Sequence, residues 1–162
     1  MQNLTKIQGL AILDKNGDRV IANYNSRTHL NAPKAQAALE KRIEEQLRNS
    51  TLDTELLTMG THLIVARIYN EFYLVLIADQ SENELLLEQV LETLTEGIGH
   101  FCGKNLKLPV IFRYYTEILL LFDEVLSDGV IVSLDHDELV SRVMMNDKMS
   151  VGKTPGKKGF FF

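Results

Sequence analysis

The sequence has little of what several classes of protein require. Its 162 residues include one cysteine, Cys102, and no tryptophan, so a disulfide framework is excluded and a reducing compartment is expected. The longest apolar runs, such as residues 118–122, fall far short of the roughly 20 residues that cross a bilayer. The first ten residues lack the apolar segment and the small-residue cleavage site of a signal peptide. We therefore expect a cytoplasmic protein without a membrane span.

Positive charge is also scarce. The formal net charge is −5 and no basic stretch precedes the last dozen residues, so we do not expect nucleic acid as a partner. Apolar residues make up 45% and charged residues 24%, which is ordinary for a globular domain of this length. We expect one domain over residues 1–146. Glycine, lysine and proline interrupt the periodicity of residues 147–162, which predicts a disordered tail.

One loop carries part of a calcium-binding pattern. Asp14, Asn16 and Asp18 have the spacing of the first three ligands, but arginine and asparagine replace the glycine and the bidentate acid that complete such a loop. The Asn16-Gly17 pair instead suits a two-residue type I′ turn between two strands. We interpret the loop as a hairpin turn.

No catalytic motif surrounds the reactive side chains. Cys102 lies at the end of a predicted helix, and a Gly-Lys-Thr sequence at 152–154 matches only the end of a phosphate-binding loop. Metal-ligand spacing is absent from the four histidines, His29, His62, His100 and His136. A small enzyme that uses Cys102 or residues 152–154 is the less favoured alternative, and we assign no catalytic, cofactor-binding or metal-binding residue.

Two short runs, residues 62–69 and 72–78, predict the two strands at the centre of the fold. Both runs are rich in β-branched and aromatic residues, and a tight turn separates them. The second run barely alternates between polar and apolar residues. Both of its faces are therefore expected to be covered, which places it in the middle of a sheet with helices on either side. Three further strands are predicted, at 7–13, 19–24 and, at an edge of the sheet, 55–59.

The first predicted helix spans residues 33–48 and has a proline in its first turn. Its apolar stripe, expected to pack on the sheet, consists of Ala35, Ala38, Leu39, Ile43 and Leu47. The other side carries charged residues that include Glu40 and Glu44. We expect that side to be solvated and to add little energy.

Two long helices follow the central strands. The first is expected to begin at a capping box formed by Ser81 and Glu84, and the second to run from Val110 to Ser127. Leu85 and Leu120 project opposite the apolar stripes of these helices, so both are candidate contacts with a partner protein. An extended stretch at 130–134 and a short helix at 139–145 complete the domain.

Three stretches carry a resemblance to known proteins: GLAILDKNGDRVIANY at 9–24, SENELLLEQVL at 81–91 and LLLFDEVLSDGVIVSLD at 119–135. Together they resemble the zeta subunits of the coatomer, the small chains of the coat protein I vesicle coat. The sigma chains of the clathrin adaptors are relatives that share stretches similar to the second and third, and they are the alternative within the same family.

This resemblance implies an α+β, longin-like (profilin-like) fold. Five antiparallel strands lie in the order 2-1-5-4-3, with the first helix on one face and the later helices on the other. It also implies a structural role without cofactors, in which the chain pairs with the coatomer gamma subunit inside a heptameric coat. A small GTPase recruits that coat to Golgi membranes for retrograde transport to the endoplasmic reticulum and for intra-Golgi transport. The isolated chain is expected to be monomeric and to reach membranes only within the complex.

Overall fold

The computed structural model describes residues 7–25, 30–104, 106–128, 140–141 and 143–145. Its strands are β1 (Ile7–Asp14), β2 (Arg19–Tyr24), β3 (Thr54–Met59), β4 (His62–Ile68) and β5 (Phe72–Asp79), and its helices are α1 (Pro33–Leu47), α2 (Glu84–Cys102), α3 (Leu108–Arg113) and α4 (Tyr115–Asp128). Residues 140–141 and 143–145 are also helical. Several expectations fall outside the described residues: the stretch at 130–134, His29, His136, the Gly-Lys-Thr sequence and the tail at 147–162.

The strands form one antiparallel sheet in the order β2-β1-β5-β4-β3, which confirms the predicted topology. β5 is the central strand, and β3 lies at an edge as expected. The turn before β5 is tight, because the Tyr69 amide donates to the Phe72 carbonyl at 2.9 Å. Between β3 and β4, Gly60 has a φ of +58°, which suits the first central position of a two-residue type II′ turn.

Both faces of β5 are buried, as its unbroken apolar run predicted. Phe72, Leu74 and Leu76 pack in a core with α2, α3 and α4. Tyr73, Val75 and Ile77 pack in a second core with α1. On the first face, α2 packs against β4, and α4 packs against β1 and β2. The sheet is therefore a central layer with one helix on one side and several on the other.

The hairpin turn between β1 and β2 differs from the prediction. Gly17 has a φ of +84° and no non-glycine residue has a positive φ among the described residues, so Asn16 cannot occupy a type I′ turn. The Asp14 amide donates to the Asp18 carbonyl at 2.8 Å, and the Gly17 amide donates to the Asp14 carbonyl at 3.0 Å. The loop thus has three residues, and a register shift follows between Ile12 and Leu13.

Two helix boundaries also differ from the prediction. The N-cap of α2 is Asn83, whose side-chain oxygen accepts from the amides of Leu85 and Leu86. The hydroxyl of Ser81 instead donates to Asp79, so the predicted capping box does not form. The single helix predicted from Val110 is interrupted at Tyr114, whose ψ of 26° separates α3 from α4.

Candidate interaction surface

Exposed apolar side chains show where a partner protein could bury surface. Seven large ones are exposed among the described residues: Leu52, Leu56, Leu85, Phe112, Tyr115, Met144 and Met145. They fall at the edge strand β3, in the first turn of α2, at the junction of α3 and α4, and in the last described helix. A domain whose cores are otherwise closed presents these positions for docking.

Leu85 lies where the sequence predicted an exposed leucine. Its side chain is 65% exposed, and the Asn83 cap fixes its position in the first turn of α2. Leu87, two residues further on, is fully buried, which is the geometry of an amphipathic helix that packs on a sheet. Leu85 is therefore accessible to a partner without any rearrangement of the core.

Leu120 is less exposed than expected, and its contact with a partner stays a prediction. Its side chain is partly buried and packs against the core between the sheet and α2 to α4. The buried stripe of α4, Ile118, Leu121, Phe122 and Val125, still places Leu120 on roughly the opposite side of the helix. Leu120 contributes to packing, and any partner contact it makes would use only part of its surface.

The junction of α3 and α4 exposes two aromatic residues that the helical periodicity did not reveal. Phe112 is 57% exposed and Tyr115 is 40% exposed. The α3 start is held from the β4–β5 turn, because the Leu108 amide donates to Glu71 Oε1 at 2.9 Å. Exposed aromatic side chains are enriched in protein interfaces, so this junction is a second candidate contact.

An open cleft lies beside the same junction. It has a volume of about 480 Å³ and is lined by Ile68, Tyr69, Asn70, Glu71, Lys104, Leu106 and Lys107. Glu71 is the one carboxylate among these lining residues, and its Oε1 already accepts from the Leu108 amide. The described walls of the cleft are partly apolar.

A ridge of glutamates runs along the solvent side of α2. Glu84, Glu88, Glu92 and Glu96 are exposed and spaced four residues apart, so they lie on one side of the helix. Glu92 is paired with Arg67 of β4 at 2.5 Å. This acidic ridge separates Leu85 from the aromatic residues at the α3–α4 junction.

Charged residues of α1 were expected to be solvated, and two of them are buried instead. Glu40 is 4% exposed and Glu44 is 3% exposed. Arg19 of β2 donates to Glu40 Oε2 at 2.7 Å, and the Tyr24 hydroxyl donates to the same oxygen at 2.7 Å. Burial, followed by the nearby Glu40 carboxylate, raises the pKa of Tyr24, so its hydroxyl stays protonated and donates.

The second buried carboxylate is paired within its own helix. Arg48 Nη2 lies 2.6 Å from Glu44 Oε1, and Arg48 Nε lies 2.8 Å from Glu44 Oε2. This bidentate hydrogen bonding lowers the pKa of Glu44. The expected packing of the small residues was also wrong, since Ala35 and Ala38 are exposed.

Three of the candidates for chemistry that the structure describes, Cys102, His62 and Asp14, are buried or hydrogen-bonded. Burial and the nearby Glu117 raise the pKa of Cys102 to about 11, so little nucleophilic thiolate is present near neutral pH. His62 Nδ1 lies 2.7 Å from the buried Gln8 Oε1. In the hairpin turn, Asp14 Oδ1 accepts from the amides of Asn16 and Asp18. Within the part of the chain that is described, no group of three or more histidine, cysteine or acidic side chains could hold a metal ion.

The helices among the described residues are all too short or too polar to cross a bilayer.

Comparison with known proteins identifies relatives over most of the chain. The family model for the clathrin adaptor complex small chain matches residues 6–150. Coatomer subunit zeta of Saccharomyces cerevisiae is 27% identical over 150 residues, which cover 87% of this chain and 78% of the yeast protein. Coatomer subunit zeta-1 of Homo sapiens is 29% identical over 143 residues, with 88% and 79% of the two chains covered.

A known structure shows the same fold. A chain of the homology model of the full-length AP-3 complex in a stretched open conformation superposes with a TM-score of 0.69 at 16% identity. The match covers 93% of this chain and 98% of the other. The likeness therefore extends over the sheet and both helical layers.

Proposed function

Because the chain belongs to the clathrin adaptor complex small chain family, we propose that it is the small structural subunit of a coat protein I (coatomer) vesicle coat. In this role it pairs with the coatomer gamma subunit and, through it, with the rest of the coat. The coat acts in retrograde transport from the Golgi to the endoplasmic reticulum and within the Golgi. The chain is then cytoplasmic and reaches Golgi membranes and vesicles as part of the complex.

One observation supports this proposal most strongly. The yeast and human relatives that align over 87% and 88% of this chain are both coatomer zeta subunits. The geometry is compatible with a role that depends on docking, because the cysteine is buried and protonated and Glu71, the one carboxylate among the cleft residues named above, already accepts from a backbone amide. We therefore assign no enzymatic activity and no cofactor.

The helical layer formed by α2, α3 and α4 is the surface that we assign to the large partner. It exposes Leu85 at one end of α2 and Phe112 and Tyr115 beyond its other end. A 19-residue helix is about 28 Å long, so these apolar contacts are spread widely. Large chains built as helical solenoids offer extended concave surfaces, which could engage both ends at once.

Substituting Leu85 tests this assignment directly. Leu85→Asp places a charge at a 65% exposed apolar position, so we expect weaker co-purification of the gamma subunit and unchanged circular dichroism. Gln46→Asp is the matched control, because it adds the same charge at an exposed position of α1, on the opposite face of the sheet. Leu120→Asp is expected to lower stability as well, since Leu120 packs on the core. Retention of the gamma subunit by Leu85→Asp at the level of the control would remove Leu85 from the interface.

A clathrin-adaptor sigma chain is the second candidate. The family model describes adaptor small chains in general, and the AP-3 likeness extends over nearly the whole chain. Affinity purification of the tagged chain from cytosol, followed by mass spectrometry, distinguishes the two by the large chain that is retained.

A further inference from the structure

The two edges of the sheet are protected to very different degrees. At the β2 edge, a register shift follows the hairpin turn, α4 packs against the strand, and Arg19 and Tyr24 are tied to α1 through Glu40. Register shifts and covering elements are the devices that prevent an edge from pairing with another chain. The β2 strand is therefore irregular at its edge and anchored on both of its faces.

Among the residues that the structure describes, the β3 edge has none of these devices. β3 pairs with β4 in unbroken register from Thr54–Arg67 to Met59–His62. Its sequence, TELLTM, contains neither proline nor lysine, which are the residues that commonly blunt an edge strand. A regular edge of six residues, with one acidic side chain and no basic one, is a template for strand addition.

The register identifies which backbone groups face outward. The Ile68 amide donates to the Asp53 carbonyl at 2.8 Å, so Asp53 bonds to β4. Because hydrogen-bonded and non-hydrogen-bonded pairs alternate along an antiparallel ladder, Thr54, Leu56 and Thr58 direct their amides and carbonyls away from β4. Three evenly spaced residues with outward backbone groups are what an added strand requires.

The side chains of Thr54, Leu56 and Thr58 lie on the same face of the sheet as α2. On that face, α2 packs over the neighbouring strand β4. Leu56 is 37% exposed and Thr58 is also exposed. Leu52, just before the strand, is 56% exposed. An extended segment that pairs with β3 would thus bury apolar surface on Leu56 in addition to the backbone groups.

The charge around this edge is negative. Asp53 is exposed and Glu55 is half-buried on the strand, and these two carboxylates supply the negative charge, because Glu92 of α2 is paired with Arg67. Arg67, which is opposite Thr54 in the register, is already neutralised by Glu92. A second copy of this chain would bring a like-charged edge to this one, so charge complementarity favours a different occupant.

We propose that β3 is a strand-addition site that binds an extended, basic segment of another protein as a sixth strand. Lysine or arginine side chains of that segment lie near Asp53 and Glu55, and its apolar residues lie on Leu56. This site is separate from the helical surface assigned above and does not depend on which coat the chain serves.

A peptide selection tests the proposal and requires no candidate partner. A display library of random 12-residue peptides is panned on the full chain, and the enriched peptides are synthesised. We expect sequences in which β-branched or aromatic residues alternate with lysine or arginine. Binding should protect the amides of Thr54, Leu56 and Thr58 from hydrogen exchange, while the amides that already bond to β4 change little.

Thr58→Pro is the decisive variant, because it removes an outward amide and no bond to β4, as proline on an edge strand allows. We expect the selected peptides to bind it about ten-fold more weakly or worse, with an unchanged circular dichroism spectrum. Leu56→Lys is a second blocking variant in case the proline lowers stability, and Thr116→Lys is its control, at an exposed position of α4, which packs on the β1 and β2 side of the sheet.

Three results would overturn the proposal. They are failure of the selection to enrich basic extended peptides, unchanged binding of the enriched peptides to both blocking variants, and protection at amides other than those of β3. Sedimentation should also find the free chain monomeric. A dimer that Thr58→Pro dissociates would show that β3 pairs with a second copy instead.

Discussion

Glu40 lies in the interior because two distant residues supply what its carboxylate needs. Arg19 provides a cation and Tyr24 a hydroxyl donor, both at 2.7 Å from the same oxygen. The Arg19 side chain is 39% exposed and that of Glu40 5%, so the pair is only half desolvated. The pair joins α1 to the edge strand β2. Removing one partner alone is destabilising, because the other charge is left unpaired.

Removing the Glu40 carboxylate is therefore expected to destabilise the protein. For Glu40→Ala we expect the free energy of unfolding to fall by about 1–3 kcal/mol, because the Tyr24 hydroxyl loses its acceptor and Arg19 its counter-charge. Glu45→Ala, at an exposed position of the same helix, is expected to change it by less than about 0.5 kcal/mol. Urea denaturation measures both variants. An equal change in the free energy of unfolding for the two variants would mean that the buried Glu40 carboxylate does not stabilise the protein.

Glu44 predicts a pH dependence of stability. Its pKa is lowered by hydrogen bonding with Arg48, so the folded state favours the ionised form, and this stabilisation is present above the ordinary value of 4.5. It is lost as the pH falls through the lowered folded-state pKa. We expect Arg48→Ala to be less stable than the wild type at pH 7, and the difference to shrink below pH 4.5 in denaturation series. A difference that is constant with pH would contradict the pairing.

Two glycines, Gly17 and Gly99, differ in whether their positions require a glycine. Gly17 needs a φ of +84° in the β1–β2 loop, and a Cβ there would lie 3.1 Å from the Glu44 side chain. Gly99 lies within α2, and a Cβ there would meet nothing within 4 Å. The loop glycine is therefore required by its conformation, while the helix glycine is not required by packing.

Alanine substitutions at these two positions should change stability in opposite directions. For Gly17→Ala we expect a loss of about 1–2 kcal/mol from the left-handed backbone conformation. For Gly99→Ala we expect a gain of about 0.5–1 kcal/mol from helix propensity. Thermal denaturation of both variants measures the pair. A loss at Gly99 as large as that at Gly17 would show that packing, and not backbone conformation, governs both positions.

The elements themselves could be predicted from local sequence. The unbroken apolar run of β5 implied two covered faces, and the Pro33 start of α1 marked that helix within a residue or two. Some errors were local choices between alternatives, such as the hairpin turn and the α2 cap, and others arose where a distant residue decided the outcome. The burial of Glu40 depends on Arg19 and Tyr24, which are 21 and 16 residues away. The exposure of Phe112 and Tyr115 depends on a break at Tyr114 that the periodicity does not mark.

At the scale of the whole molecule, the sheet is irregular at its β2 edge and covered on both faces, and its accessible features are the helical layer and the β3 edge. The helical periodicity placed Leu85 correctly on the solvent side of α2, and it did not reveal the aromatic pair at the α3–α4 junction. Partner contacts cannot be deduced from periodicity alone, because an exposed apolar residue has the same local pattern whether or not a partner covers it. The proposed role is best tested through the large chain that we propose it binds.

Affinity purification of the tagged chain from the cytosol of its own cells, with mass spectrometry of the stoichiometric partners, tests the central claim most directly. We expect the coatomer gamma subunit at one copy per chain, together with the other coat subunits. Recovery of a clathrin-adaptor large chain in its place, or of the tagged chain without any large chain, would contradict the proposed role.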